Sequence, residues 1–225
     1  MNAQGKRSGE TAREYAYRMI RKQVISLELK PGEAFNDMEF AAKIGVSRTP
    51  VREAVIQLSE ESRIIEIFPQ RGMRIAPIDV ELVEEARSLR VLLEKQIAGM
   101  CCEMATEEDI KWLQENVGLQ EFYMENSRPE MVMQLDDEMH HKLFMICHRE
   151  LTYGMCQKLA IHYDRIRSLS VNTVKDNTII EDHRKIIQFI AEHKKENAMA
   201  QMEKHLSRWQ LNEGKFRQEF PDYFK

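Results

Sequence analysis

Near the start of the chain, hydrophobic positions repeat at helical spacing. Between Thr11 and Leu27, the residues Tyr15, Met19, Ile20, Val24 and Leu27 fall three and four apart, which predicts a helix with one buried face. It stops at Leu29-Lys30-Pro31-Gly32, where proline fixes φ and glycine lets the backbone turn. A short second helix is predicted from Asn36 or Asp37. Asn36 is its N-cap, Met38, Phe40, Ala41 and Ile44 are its apolar positions, and Gly45 closes it. Ser47 caps a third helix with Pro50 in its first turn and Val51, Val55, Ile56 and Leu58 on the buried side. The period then switches. Ile64, Ile65, Ile67 and Phe68, then Met73 and Ile75, flank Pro69-Gln70-Arg71-Gly72, which predicts two short strands around a turn. Three helices followed by a β-hairpin make a winged helix-turn-helix.

Pro77-Ile78-Asp79 marks a boundary, and beyond it the pattern is helical throughout. Helices are predicted at about 79–104, 106–125, 129–148, 152–170, 177–194 and 196–218. Thr106, followed by Glu107, Glu108 and Asp109, is a helix start with an acidic first turn, and Ser127-Arg128-Pro129 is another. The predicted fold is mainly α. Residues 1–77 form the winged helix-turn-helix, and residues 78–225 form an all-helical antiparallel bundle.

Composition changes this picture little. Of 225 residues, 43% are hydrophobic and 31% charged, and with only six prolines and nine glycines the chain favours long helices over low-complexity linkers. No apolar run approaches ~18 residues, and Met1 to Glu10 lacks a signal-peptide core, so a soluble, cytoplasmic, nucleoid-associated protein is expected. Cys101, Cys102, Cys147 and Cys156 show no CxxC spacing, which suits reduced thiols better than a disulfide framework or a zinc knuckle. The net charge of −4 is uneven: residues 1–77 hold 13 Lys/Arg against 10 Asp/Glu, so the remainder is acidic. That asymmetry fits one part facing nucleic acid and another avoiding it.

Candidate chemistry concentrates in two places. The first is Phe40 to Val55. Gly45 sits where two crossed helices leave no room for a side chain. The next helix then opens with Ser47, Arg48, Thr49, Pro50 and Arg52. Free N–H groups at such a helix end attract phosphate. Arg48 and Arg52 share one face and can reach guanine edges in the major groove. Arg71 and Gly72 at the hairpin tip can approach the minor groove or a phosphate. The second place is Leu135 to His141, where Asp136 and His140 lie one turn apart. His183 and His205 stand equally far from the predicted helix break near Lys194, so an antiparallel hairpin sets them at one height. One Asp and three His suit a divalent ion such as Zn²⁺, Ni²⁺ or Mn²⁺. Seven histidines in a helical chain also offer coincidental pairings. His141, His148, His162 and His193 are read as surface or hydrogen-bonded residues.

The segments Leu29-Lys30-Pro31-Gly32-Glu33, Val46-Ser47-Arg48-Thr49-Pro50-Val51-Arg52-Glu53-Ala54 and Arg71-Gly72 resemble the DNA-binding domain of the GntR family of bacterial transcription regulators. One departure is Ser62-Arg63, where many relatives have Gly-Leu. Leu89 to Glu94, Asp136 to Leu143, Asp182-His183-Arg184 and Met202 to Leu206 are similar to the FCD-type effector domain of the FadR-like subfamily. Here Met139 replaces a usual Phe, and His148-Arg149 a frequent Gly-Asn. The resemblance implies a metabolite-responsive regulator, expected to be a repressor, that binds a palindromic operator as a homodimer. It implies DNA contacts from Ser47, Arg48, Thr49, Arg52 and Gly72, and metal ligation by Asp136, His140, His183 and His205. A small organic acid would complete the metal's coordination, with Arg90 closing the charge. Arg90 reads equally well as the salt-bridge partner of a neighbouring acidic residue. A purely structural metal is one alternative. A metal-dependent hydrolase is another, but Glu138 points about 200° around its helix from Asp136 and is poorly placed as a general base.

Overall fold

The structure, a computed structural model, describes residues 5–173 and 178–225. It divides into two compact units, one running to Val80 and including Phe220–Lys225, the other spanning Glu81–Glu219.

In the first unit, α1 (Ala12–Ile25) begins at a capping box in which Thr11 and Glu14 satisfy each other's exposed amides. It buries Tyr15, Met19, Ile20 and Val24. Lys30-Pro31-Gly32-Glu33 is a turn closed by the Glu33 amide on the Lys30 carbonyl at 3.1 Å. Helix α2 (Asp37–Ile44) is capped by the Asn36 side chain and ended by Gly45, whose φ of 73° is left-handed and open chiefly to glycine. Helix α3 (Arg48–Ser62) buries Val51, Ala54, Val55 and Leu58. Ile56, expected on that face, is 43% exposed, because it falls outside the i, i+3, i+4, i+7 stripe.

The predicted hairpin is β2 (Ile65–Phe68) and β3 (Gly72–Ile75), antiparallel with Ile65 opposite Ile75. A further strand, β1 (Ala34–Phe35), pairs with β3 and gives the order β1-β3-β2. Two residues are too few for an alternation to register in the sequence. At the Ser62-Arg63 departure, Arg63 ends α3 with φ 54°, a left-handed conformation that glycine adopts without strain. Residues 220–225 belong to this unit because Ile78 pairs with Phe224. The Ile78 amide donates to the Tyr223 carbonyl at 2.7 Å, and the Lys225 amide to the Ile78 carbonyl at 3.0 Å.

The second unit is helical: α4 (Val80–Met104), α5 (Glu107–Glu125), α6 (Pro129–Ile146), α7 (Glu150–Leu159), α8 (Ile161–Thr173), α9 (Thr178–Ala191), α10 (Lys195–Leu206) and α11 (Trp209–Glu219). The single helices expected at 152–170 and 196–218 are each two, divided at Ala160 and near Ser207. Neither break carries the Gly or Pro that would announce it. The start expected at 177 lies outside the described residues. Ile97, Leu113, Met139, Leu143, Phe144, Ile186, Ile190 and Met202 meet in one core. Gly99 permits close packing there, since a Cβ at that position would stand 2.9 Å from Met199 Sδ. The missing side chain leaves room for Met199 of α10 beside α4, and both helices carry residues of the site below.

Candidate metal centre and DNA-reading surface

Three helices converge on one buried cluster. Asp136 and His140 project from α6, His183 from α9 and His205 from α10, and one ligand atom from each lies within 4.8 Å of all the others. His183 Nε2 is 3.2 Å from Asp136 Oδ1 and 3.3 Å from His205 Nε2. Those separations approach the ~3.3 Å edge of a tetrahedron whose ligands stand ~2.0–2.1 Å from an ion. His140 Nε2 lies 3.8 Å from Asp136 Oδ2 and has no hydrogen-bond partner, although His140 is only 2% exposed. A buried ring nitrogen without a partner costs free energy unless something binds it.

The electrostatics agree. Burial alone would raise the Asp136 carboxyl, but the Arg167 guanidinium in contact with it, followed by His183 and His140, holds it well below the usual carboxylate range. Burial lowers His183, partly offset by Asp136. His205 is pushed far down by burial, then by His183 and His140. The cluster therefore offers a carboxylate with His183 and His205 neutral, the protonation states that ligate a metal. Three imidazoles and a carboxylate oxygen form a donor set of borderline softness, so these residues fit a divalent transition ion.

A surrounding layer fixes the ligands. His183 Nδ1 is 2.8 Å from Gln120 Oε1, and Gln120 Nε2 donates to Asn116 Oδ1 at 2.8 Å. Arg167 also pairs with Asp137 at 2.8 Å and Asp164 at 2.7 Å. Arg90 is 6% exposed and donates from Nε to Glu94 Oε1 at 2.6 Å. It therefore has the acidic partner that one reading of the sequence gave it. Its Nη1 remains without a partner. Glu94, with Arg90 and His140 outweighing burial, is held down to about 2. A cavity of about 50 Å³ adjoins the cluster, bordered by Arg90, Asp136, Tyr163, Arg167, His205 and Arg208.

Sequence reasoning found the four candidate ligands and Arg90 but missed Glu94, Gln120, Arg167 and Arg208. Two of these had a readable signal: Arg90 with Glu94, and Asn116 with Gln120, are i, i+4 polar pairs on helices otherwise committed to the core. Of the remaining histidines, His193 Nδ1 lies 2.7 Å from the Cys102 carbonyl and His141 stacks on Tyr153. His148 takes φ 54°, which accounts for the place of a glycine in relatives.

In the first unit, Ser47, Arg48, Thr49 and Arg52 are exposed on the opening turns of α3, with Pro50 in the first turn. Ser47 occupies the N-cap position, but its hydroxyl makes no capping bond. The side-chain cap expected from the sequence is therefore not formed, and the helix's first amides stay open to an anion. Arg48 Nε is held 3.0 Å from both carboxylate oxygens of the buried Asp37 while its side chain stays 58% exposed. No hydrogen bond engages its Nη1 or Nη2 among the described residues. Arg71 is exposed at the wing tip, and its amide donates to the Phe68 carbonyl at 3.0 Å. Gln70 and Gly72 supply the left-handed conformations of that turn, with φ 62° and 99°.

Residues 12–75 match the pattern of the bacterial regulatory proteins of the gntR family, and residues 85–208 match the FCD domain. The chain is similar to the HTH-type transcriptional repressor RspR of Escherichia coli (28% identity, 92% of this chain and 91% of that one). It is also similar to the Nta operon transcriptional regulator of Aminobacter aminovorans (26% identity, 82% and 86%). The solved structure of E. coli McbR/YncC has the same fold, with a TM-score of 0.78 over 93% of this chain and 99% of that one at 17% identity. These relatives are regulators of transcription and not enzymes, which excludes the hydrolase alternative. Among the described residues, no helix is long and apolar enough to cross a membrane. With a winged helix-turn-helix at one end and this helical unit after it, the chain belongs to the GntR family of bacterial transcription regulators that carry an FCD domain.

Proposed function

We propose that this regulator binds a palindromic operator as a homodimer and responds to a small carboxylate held by a divalent metal and Arg90. One observation carries the reading: a small cavity bordered by Arg90, Asp136 and His205 adjoins the four-residue cluster, in which His140 Nε2 is buried without a partner, and Arg90 Nη1 is buried without one too. Asp136, His140, His183 and His205 would hold the ion, and the ion would supply Lewis-acid coordination for a carboxylate oxygen. Arg90 would meet the acid's second oxygen or its remaining charge. The cavity of about 50 Å³, where one water takes roughly 10–15 Å³, favours an acid of few heavy atoms. Ser47, Arg48, Thr49, Pro50, Arg52, Arg71 and Gly72 are the proposed DNA surface, and repression, the role in RspR's name, is the proposed output.

A purely structural metal is the second reading. It is favoured by the fact that Arg90 already has Glu94 and Arg167 already has Asp136, Asp137 and Asp164. A thermal-shift screen of small carboxylates, with and without Zn²⁺, Ni²⁺ or Mn²⁺, separates the two. The sensor reading expects at least one acid to raise Tm above the metal-only value, by the equivalent of about 2.7 kcal/mol at a hundred times its Kd. It also expects that acid to do nothing in metal-free protein. Stabilisation by metal with no response to any acid identifies a structural ion.

A further inference from the structure

Glu94 stands between two groups that the sensor reading treats separately. Its Oε1 accepts the Arg90 Nε hydrogen at 2.6 Å, and its Oε2 lies 2.5 Å from His140 Nδ1, a close contact that falls short of regular hydrogen-bond alignment. All three side chains are buried. Arg90 and Glu94 are one turn apart on α4, while His140 comes from α6. An imidazole whose Nδ1 hydrogen faces a carboxylate presents the Nε2 lone pair outward and is a stronger donor to a metal. Gln120 faces His183 Nδ1 in the same way, but it is neutral. His205 Nδ1 has no hydrogen bond, and Asp182 Oδ2 is 4.0 Å from it. Of the three ligand imidazoles, only His140 has a carboxylate this close, and that carboxylate also holds the proposed acid-binding arginine.

We infer that Glu94 is a positioning residue that couples the two halves of the sensor site, orienting His140 toward the metal and sharing Arg90 with the incoming acid. The inference rests on the metal–carboxylate reading. A carboxylate divided between Arg90 and His140 polarises the imidazole less than one left to His140 alone. An acid that draws Arg90 toward itself leaves Glu94 to His140 and tightens the metal. By linkage, the metal tightens the acid by the same factor.

The test uses full-length protein. Zn²⁺ affinity is measured by competition with a chelator, and the visible spectrum is recorded after Co²⁺ loading. Wild type is compared with Glu94→Gln, Arg90→Met and the double variant Arg90→Met/Glu94→Gln. Glu94→Gln is expected to weaken zinc by about 10–100-fold, the usual effect of losing a partner behind a ligand, and to shift the Co²⁺ bands. Arg90→Met is expected to bind zinc as tightly as wild type or more tightly. The double variant leaves neither charge of the buried pair orphaned, so it keeps the test alive if Glu94→Gln fails to fold. It is expected to bind as weakly as Glu94→Gln. Equal losses in Glu94→Gln and Arg90→Met would mean that the pair only braces α4, and would overturn the inference. Wild-type affinity with an unchanged spectrum in Glu94→Gln would overturn it too. A wild-type protein that binds neither ion would bring down the metal reading itself, a result distinct from both.

Discussion

His183→Ala is expected to abolish the metal-dependent part of the protein's thermal stability. His183 is fully buried, with Nε2 within 3.3 Å of both Asp136 and His205, so its loss removes the most central of the four candidate ligands. An ion present at a hundred times its Kd stabilises the native state by about 2.7 kcal/mol. In a domain of this size that corresponds to a rise in Tm of roughly 5–10 °C. Wild-type protein stripped by a chelator and then given Zn²⁺, Ni²⁺ or Mn²⁺ is expected to recover that rise, whereas His183→Ala is expected to gain none. The variant also leaves a cavity beside Gln120, which lowers its baseline. The informative quantity is therefore the difference with and without metal. A variant that still responds like wild type would place the ion elsewhere.

Arg48→Ala is expected to cost about 1–3 kcal/mol of specific operator binding, roughly 5- to 150-fold in Kd. More than the presence of an arginine at the start of α3 sets this size. Asp37 grips Nε with both oxygens, so the guanidinium is held in place before DNA arrives and loses less side-chain freedom on binding. Arg52, exposed one turn later on the same face and in no ion pair among the described residues, lacks that support. Binding to a selected operator and to random DNA, each across a salt series, separates the roles. A base-reading Arg48 loses specific binding and relaxes preference at one position. A phosphate contact weakens both DNAs alike and lowers the salt slope by about one.

The sequence carried most of the fold, for identifiable reasons. The long helices declare themselves because an amphipathic stripe repeats over many residues, as in α1 and α9. The turns at Gly32 and Gly45 declare themselves because a left-handed backbone selects glycine. What stayed hidden was either too short or unmarked. Strand β1 is two residues long, and the breaks at Ala160 and Ser207 use ordinary residues in ordinary conformations. At the candidate site, Asp136 with His140 is legible from one helical turn, and His183 with His205 from symmetry about a hairpin. The supporting shell is not. Glu94, Gln120 and Arg167 reach the cluster only through the packing of α4, α5 and α8 against the ligand helices. Arg48's partner Asp37 was hidden for the same reason, since it lies eleven residues earlier in a different helix.

The ligands and the DNA surface form one regulator only if the first changes the second. The most direct measurement is the affinity of full-length protein for an operator obtained by in vitro selection, taken in four states: metal-free, with metal, with acid, and with both. A coupling of 1–3 kcal/mol between sites corresponds to about 5- to 150-fold in affinity. The account predicts a change of that size when metal and a stabilising acid are present together, and none with the acid alone. Equal operator affinity in all four states, from protein whose Tm rises with metal, would contradict it.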